Sequence, residues 1–139
     1  MNFVDFELMY ADTMLNYQRI ENDIKLIYSF MSEGNVDDNY EQIENKTLGQ
    51  MIRLLQDLDN RNETPIISAS DYNFLKQICD NRNHWAHQVF LEFIYEDCED
   101  FTQTKEYNKQ CRKLIKDNAR VERASDILEK IRIEYCTKK

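Results

Sequence analysis

The stretch Val4–Ser32, VDFELMYADTMLNYQRIENDIKLIYSFMS, carries the pattern that decides the fold. Its apolar and aromatic residues recur at alternating steps of three and four, the spacing of an amphipathic helix packed along its whole length. Gly34 and Asn35 follow, and these residue types favour the left-handed turn that ends a helix. The stretch predicts a long first helix whose buried face comprises Phe3, Phe6, Tyr10, Thr13, Tyr17, Ile20, Ile24, Ile27 and Met31.

A second helical pattern lies near residues 47–59. Thr47 and Gln50 stand three positions apart, and this pair can cap the start of a helix reciprocally. A shorter helix is expected before it. Asp59–Pro65 holds the only proline of the chain, so it is predicted to be the most exposed connection.

The third and fourth helical patterns complete the chain. Ser68 or Ser70 caps the third helix, which is predicted to run to about Glu99, and the fourth begins near Thr104. The expected buried residues are Phe74, Leu75, Ile78, Trp85, Val89, Phe90, Phe93 and Ile94 in the third helix, and Tyr107, Cys111, Leu114, Ile115, Val121, Leu128, Ile131 and Tyr135 in the fourth.

Composition and length limit the fold class. The chain has 139 residues, enough for one buried core, so residues 1–139 are expected to form a single domain. It contains two glycines and one proline, whereas β-sheet proteins of this size need many turn residues. With short connections placing successive helices side by side, we expect an all-α fold, an antiparallel four- to five-helix bundle.

The N-terminus and the cysteines indicate the compartment. No basic leader precedes an apolar run, and no window approaches the roughly 18 consecutive apolar residues of a membrane span. The four cysteines include no close pair, which favours reduced thiols over a disulfide framework. We therefore expect a cytoplasmic protein without a membrane partner.

Charge is distributed unevenly along the chain. Residues 1–100 carry 7 basic and 20 acidic side chains, whereas residues 101–139 carry 11 basic and 6 acidic ones. The net charge of -8 argues against general affinity for nucleic acid, but the fourth helix is positive. Its cations recur at steps of about three or four and form one stripe: Lys105, Lys109, Arg112, Lys113, Lys116, Arg120 and Arg123. This stripe either pairs with acidic protein surface or follows an RNA backbone.

The octet Asp80–His87, DNRNHWAH, holds both histidines and the only tryptophan. Five positions separate Arg82 from His87, so on one helix their side chains point roughly 140° apart and lie about 7.5 Å apart along the axis. A guanidinium can brace a phosphodiester transition state, and an imidazole can transfer a proton near neutral pH. An arginine and a histidine at this spacing also occur by chance in many helices.

The sequence gives weaker support for a zinc site or a nucleophilic cysteine at this position. His84 and His87 stand three apart, a spacing that can begin a zinc site, but the chain has no third histidine and no glutamate at a metalloprotease spacing. Cys79 precedes the octet, yet nothing in the sequence identifies an activated thiolate. No metal and no cofactor are therefore expected.

The segment Arg82–His87 resembles the signature of the HEPN family, an arginine followed by a polar residue and then by a histidine after four to six positions. Thr47–Ile52 is similar to the start of the second bundle helix of several members, and Leu75–Phe90 is similar to the helix that bears the motif. The resemblance implies a helical bundle that dimerises so that two motifs face each other across a cleft. It also implies a metal-independent endoribonuclease of toxin–antitoxin or phage-defence systems.

The resemblance assigns roles residue by residue. Arg82 would stabilise the scissile phosphate, His87 would donate or accept a proton, and Asn83 would orient or bind the RNA. We expect His84, Lys109, Arg112 and Lys116 to contribute to RNA binding as well. The partners implied are RNA, a second copy of the chain, and an antitoxin or other protein. Many toxins paired with nucleotidyltransferase antitoxins carry a tyrosine two positions after the motif histidine, where this chain has Val89.

A second hypothesis requires no catalysis. The same helical bundle would act as an adaptor in which Arg82 and His87 bridge helices or protomers, and the acidic body would bind a protein partner.

Overall fold

The computed structural model describes residues 1–89 and 100–136, and within these ranges the chain is helical without a strand. The predicted all-α bundle is confirmed. No helix in the two described ranges is long and apolar enough to cross a membrane. The helices are α1 (Phe3–Met31), α2 (Val36–Ile43), α3 (Leu48–Asp59), α4 (Ala69–His87) and α5 (Lys105–Cys136), with a 3₁₀ turn at Phe101–Gln103 before α5.

The two long helices, α1 and α5, pack side by side and run parallel. The carbonyl of Met1 accepts a hydrogen bond from the Tyr107 hydroxyl at 3.0 Å, at the start of both helices. Near their C-terminal ends, Arg132 Nε lies 2.7 Å from Asp23 Oδ1. Neighbouring helices in the chain alternate in direction, so the first and the last of the five described helices point the same way.

α4 lies across the core from α1 and runs antiparallel to both α3 and α5. The Tyr10 hydroxyl donates to the Trp85 carbonyl at 2.7 Å, which joins α1 to α4 through the core. Arg120 donates to Gln77 at 2.7 Å, and Trp85 donates to Asp117 at 2.8 Å, so residue numbers rise on α4 as they fall on α5. Gly49 of α3 lies against Cys79 of α4, and Tyr72 donates to Asp59, so α4 also runs antiparallel to α3.

The predicted helix ends are confirmed where local chemistry determines them. Thr47 and Gln50 form the expected reciprocal capping box at the start of α3. Gly34 closes α1 with a φ of 98°, a conformation that side chains rarely adopt. The apolar stripe of α1 is buried as predicted at most positions, and Tyr17 and Ile20 are fully enclosed.

One prediction about the later helices is wrong, and another is tested only as far as Val89. α4 ends at His87 with Gln88 as its C-cap, and helix resumes at Val89, so the predicted third helix is interrupted at Gln88 and the octet occupies the last turns of α4. Ile115 was expected in the core but is 50% exposed. The remainder of the predicted third helix, with Phe90, Phe93, Ile94 and Cys98, falls outside the described residues.

The connection after α3 is organised by a buried carboxylate. Asp59 was predicted to begin the most exposed loop, but it is fully buried. Its two oxygens accept hydrogen bonds from the backbone amides of Ile66 and Ile67 and from the Tyr72 hydroxyl, at 2.8–3.1 Å. Burial and the adjacent Asp59 raise the pKa of Tyr72. These hydrogen bonds attach the segment before α4 to the end of α3 and fix the position of the first turn of α4.

Candidate active site on the fourth helix

Arg82 occupies the inward side of α4. It lies four positions after Ile78 and seven after Leu75, so it shares the arc of the helix that carries these buried residues. The side chain is half-buried. Within residues 1–89 and 100–136 it forms no hydrogen bond and no ion pair, so its guanidinium is not committed to a structural partner.

The Tyr17 hydroxyl is buried in the core and has no hydrogen-bond partner among the described residues. Burial raises the pKa of Tyr17, and the carboxylate of Asp117 raises it further. The positive charges of Arg120 and Arg82 partly oppose this shift. The raised pKa favours the protonated form of the Tyr17 hydroxyl.

His87 is the last residue of α4 and is exposed. Asn83, one turn earlier, is exposed on the same side. Because α4 is regular through His87, the five-residue spacing turns His87 roughly 140° away from Arg82. A single chain leaves the two groups apart, one beside the core and the other in solvent.

His84 is directed toward α5. Its Nε2 lies 2.7 Å from Oε1 of Gln110, whose amide nitrogen donates to Glu106 at 3.0 Å. Because the amide oxygen of Gln110 can only accept, His84 donates through Nε2. Its ring also meets that of Trp85 edge-on, at a centroid distance of 4.7 Å. His84 is a half-buried link between two helices, although its ring edge remains at the surface.

Trp85 anchors the end of α4 and is not available for stacking on a base. It is fully buried, and its indole nitrogen donates to Oδ2 of Asp117 at 2.8 Å. Lys113 also contacts this carboxylate, with Nζ 3.4 Å from Oδ2, and Asn81 donates to the other oxygen at 3.5 Å. Sequence reasoning missed Asp117, and its only signal is an acidic residue between the buried positions Leu114 and Val121.

The basic stripe of α5 divides into two parts. One part packs on α4: the guanidinium groups of Arg120 and Arg123 lie 5.5 and 5.0 Å from the ring centroid of Phe74. The part that was assigned to RNA binding is exposed and comprises Lys109, Arg112 and Lys116. Stacking on an aromatic face and neutralising Asp117 are structural roles, so the cations available to an external anion are the exposed part and Lys105, which is also exposed.

The groove between α3 and α4 adjoins the motif. It has a volume of about 510 Å³ and is lined by Gly49, Ile52, Arg53, Lys76, Cys79 and Asp80. Burial raises the pKa of the Cys79 thiol, and the neighbouring Asp80 raises it further, so the thiolate is disfavoured. The described residues include no group of three or more histidine, cysteine or carboxylate side chains arranged to hold a metal ion.

Comparison of the chain with protein-family models, with curated proteins and with solved structures gives no match. Function must therefore be inferred from the residues themselves. The described part of α4 offers an uncommitted guanidinium, an exposed imidazole one and a half turns later, and a neighbouring helix with exposed cations. These groups suit the binding and cleavage of a phosphodiester.

Proposed function

We propose that the protein is a metal-independent endoribonuclease of HEPN type, acting in a toxin–antitoxin or phage-defence setting. The observation that carries the proposal is the state of the two motif residues: Arg82 has no structural partner in the described part of the chain, and His87 is exposed at the end of α4. Residues that only stabilised the bundle would be expected to pair within it, as Trp85 and Asp117 do.

The chemistry uses the RNA itself as the source of the nucleophile. The 2′-hydroxyl attacks the adjacent phosphorus, the bond to the 5′-oxygen breaks, and the products are a 2′,3′-cyclic phosphate and a 5′-hydroxyl. Arg82 braces the charge that develops on the phosphate oxygens, and His87 exchanges a proton with the entering or the leaving oxygen. Asn83 lies on the exposed side of α4 near His87 and would orient the substrate.

Two protomers are needed to assemble this site. On one helix Arg82 and His87 diverge by roughly 140°, so they cannot contact one phosphate from the same side. A second copy that approaches the C-terminal turns of α4 would supply the missing partner of each group. The site would then be a composite cleft that contains both motifs.

RNA would approach along the exposed cations of α5. Lys109, Arg112 and Lys116 offset the acidity of the rest of the chain at this surface. Contacts to the phosphate backbone would be sequence-independent and would weaken with added salt. His84 is the motif residue that contacts α5, through its hydrogen bond with Gln110.

A mixing experiment tests whether the active site is shared. Wild-type protein is mixed with an excess of the doubly substituted Arg82→Ala/His87→Ala variant, and cleavage of single-stranded RNA is followed in EDTA. Subunit exchange should lower the activity per wild-type chain severalfold, because most wild-type chains would then face an inactive partner. The same excess of an inert protein serves as the control.

Two results would reject the proposal. Wild-type protein that leaves RNA intact in EDTA would exclude metal-free cleavage of that RNA. Activity that stays proportional to the wild-type chains, however much variant is added, would exclude a site built from two protomers. End labelling of the products would identify the 2′,3′-cyclic phosphate.

The alternative, a non-catalytic helical adaptor, is favoured by the inward position of Arg82 and by the structural hydrogen bond of His84. An adaptor predicts that Arg82→Ala weakens folding or self-association more than any activity on RNA. The nuclease predicts the reverse: a loss of unfolding free energy below about 1 kcal/mol, because Arg82 leaves behind no polar partner among residues 1–89 and 100–136. Urea unfolding, sedimentation and RNA cleavage on the same variant distinguish the two.

A further inference from the structure

A polar groove lies between α1 and α5, beyond the first turns of both helices. It has a volume of about 550 Å³. Along α1 its lining extends from Asp12 to Leu26, a length of about 21 Å at the usual rise per residue of a helix. We call it the α1–α5 groove. Its acidic lining residues are Asp12, Asp23, Glu122, Asp126 and Glu129.

Negative charge dominates the α1–α5 groove. Its lining has five carboxylates and two guanidinium groups, a balance of -3. Both arginines already have partners within the groove: Arg19 donates to Asn16 at 3.3 Å, and Arg132 pairs with Asp23 at 2.7 Å. Burial raises the pKa of Asp23, and the positive charge of Arg132 only partly opposes this shift. The groove is therefore short of positive charge.

Ser125 supplies an unsatisfied polar group on the α5 side of the groove. The residue is only 7% exposed, yet its hydroxyl makes no hydrogen bond with any residue in the ranges 1–89 and 100–136. A serine within a helix can donate to the carbonyl four residues earlier, as Ser29 does to Lys25 at 2.7 Å. The Ser125 hydroxyl is instead directed into the groove and is not sealed in the core. A ligand that donates hydrogen bonds would satisfy it.

We propose that the α1–α5 groove binds a linear aliphatic polyamine. One ammonium group donates to the Ser125 hydroxyl, and the others lie among the exposed carboxylates of Asp12, Glu122, Asp126 and Glu129. A ligand with several charges along one chain suits carboxylates that are spread along two helices. These carboxylates are too dispersed for a metal ion, since the described ranges contain no metal-binding group of three or more such side chains. Leu26 offers an apolar contact to the methylene groups.

This site does not depend on the proposed nuclease. The α1–α5 groove contains no residue of α4 and none of the exposed cations Lys109, Arg112 and Lys116. Binding can therefore be measured on the whole chain without RNA and without an assay of cleavage. A failure to bind a polyamine would leave the proposal for Arg82 and His87 unchanged.

Isothermal titration calorimetry with spermidine at low salt tests the proposal. Wild-type protein should bind spermidine in a saturable way with a stoichiometry near one per chain. Glu122→Gln/Asp126→Asn should raise the dissociation constant by about tenfold or more, because two carboxylates of the groove are neutralised. Ser125→Ala should raise it by about fivefold or more through loss of the buried acceptor. Spermidine should also raise the melting temperature of the wild type more than that of either variant.

A matched control removes the same charge elsewhere. Asp37 and Asp38 are exposed at the start of α2, outside the groove, so Asp37→Asn/Asp38→Asn should leave the affinity for spermidine nearly unchanged. An equal loss of affinity in this control and in Glu122→Gln/Asp126→Asn would show diffuse attraction to an acidic protein and overturn the site.

Three further results would overturn the proposal. Absence of saturable binding by the wild type excludes a polyamine site. Full affinity in Ser125→Ala excludes the contact with the buried hydroxyl. Tighter binding of an oligolysine peptide than of spermidine, lost in Glu122→Gln/Asp126→Asn, would assign the groove to a basic segment of a protein instead. Circular dichroism of each variant verifies that the chain remains folded.

Discussion

Replacing His87 by alanine is expected to lower the rate of RNA cleavage by roughly 10²- to 10⁴-fold, the usual contribution of a general acid or base. The folded state should be almost unaffected, because His87 is an exposed terminal residue of α4. Its removal costs at most the weak interaction of a side chain with the helix C-terminus. Single-turnover cleavage in EDTA measures the rate, and urea unfolding measures the stability.

Asn73→Ala is a suitable control for this substitution. Asn73 is also exposed on α4, and it makes no side-chain hydrogen bond within the described ranges. Its removal should change neither the cleavage rate nor the midpoint of unfolding. Equal residual activity in wild type and His87→Ala would remove His87 from the mechanism and leave the adaptor as the better explanation.

The fold was predictable because helix periodicity and capping are local properties. Tyr17 and Ile20 are buried because the periodicity of α1 places them on the same face of the helix. This periodicity can be read directly from the sequence. The capping box joins Thr47 and Gln50, which are only three positions apart in the sequence. The short connections from α1 to α2 and from α2 to α3 make the direction alternate between these helices.

The predictions for Ile115 and Asp59 were wrong because the local pattern does not determine how wide the buried arc of a helix is or which distant groups a side chain contacts. Ile115 continues the apolar spacing of α5, but the helix has a limited buried arc and this residue falls just outside it. Asp59 looked like a loop residue because acidic side chains favour exposure, yet the amides of Ile66 and Ile67 give its carboxylate a buried set of donors. Such partners lie seven or more residues away and leave no periodic signal.

The residues of the candidate site could be predicted from the sequence, but their arrangement in space could not. Arg82 and His87 can be selected from their chemistry and spacing, and the spacing also predicts that they diverge. The end of α4 at His87, and the use of His84 as a link to Gln110, depend on tertiary packing. The division of the basic stripe likewise follows from where Phe74 of α4 packs on α5, and from the pairing of Lys113 with Asp117 within α5.

Replacing Trp85 by alanine is expected to lower the free energy of unfolding by about 4 kcal/mol, the usual cost of removing a large buried aromatic side chain. Trp85 is fully enclosed, and its loss leaves a cavity between α1, α4 and α5. It also removes the indole donor from the buried carboxylate of Asp117. Urea unfolding followed by circular dichroism measures the change without relying on tryptophan fluorescence.

Trp85→Phe separates the packing contribution from that of the hydrogen bond. Phenylalanine keeps most of the apolar contact but cannot donate to Asp117, so a loss of about 2 kcal/mol is expected. A cost below about 1 kcal/mol for Trp85→Ala would show that the end of α4 is not anchored in this way. If Trp85 holds the motif in place, Trp85→Phe should also lower RNA cleavage under conditions where the protein remains folded. Because Arg82 and His87 lie within three residues of the indole, a small rotation of this last turn displaces both groups from the phosphate.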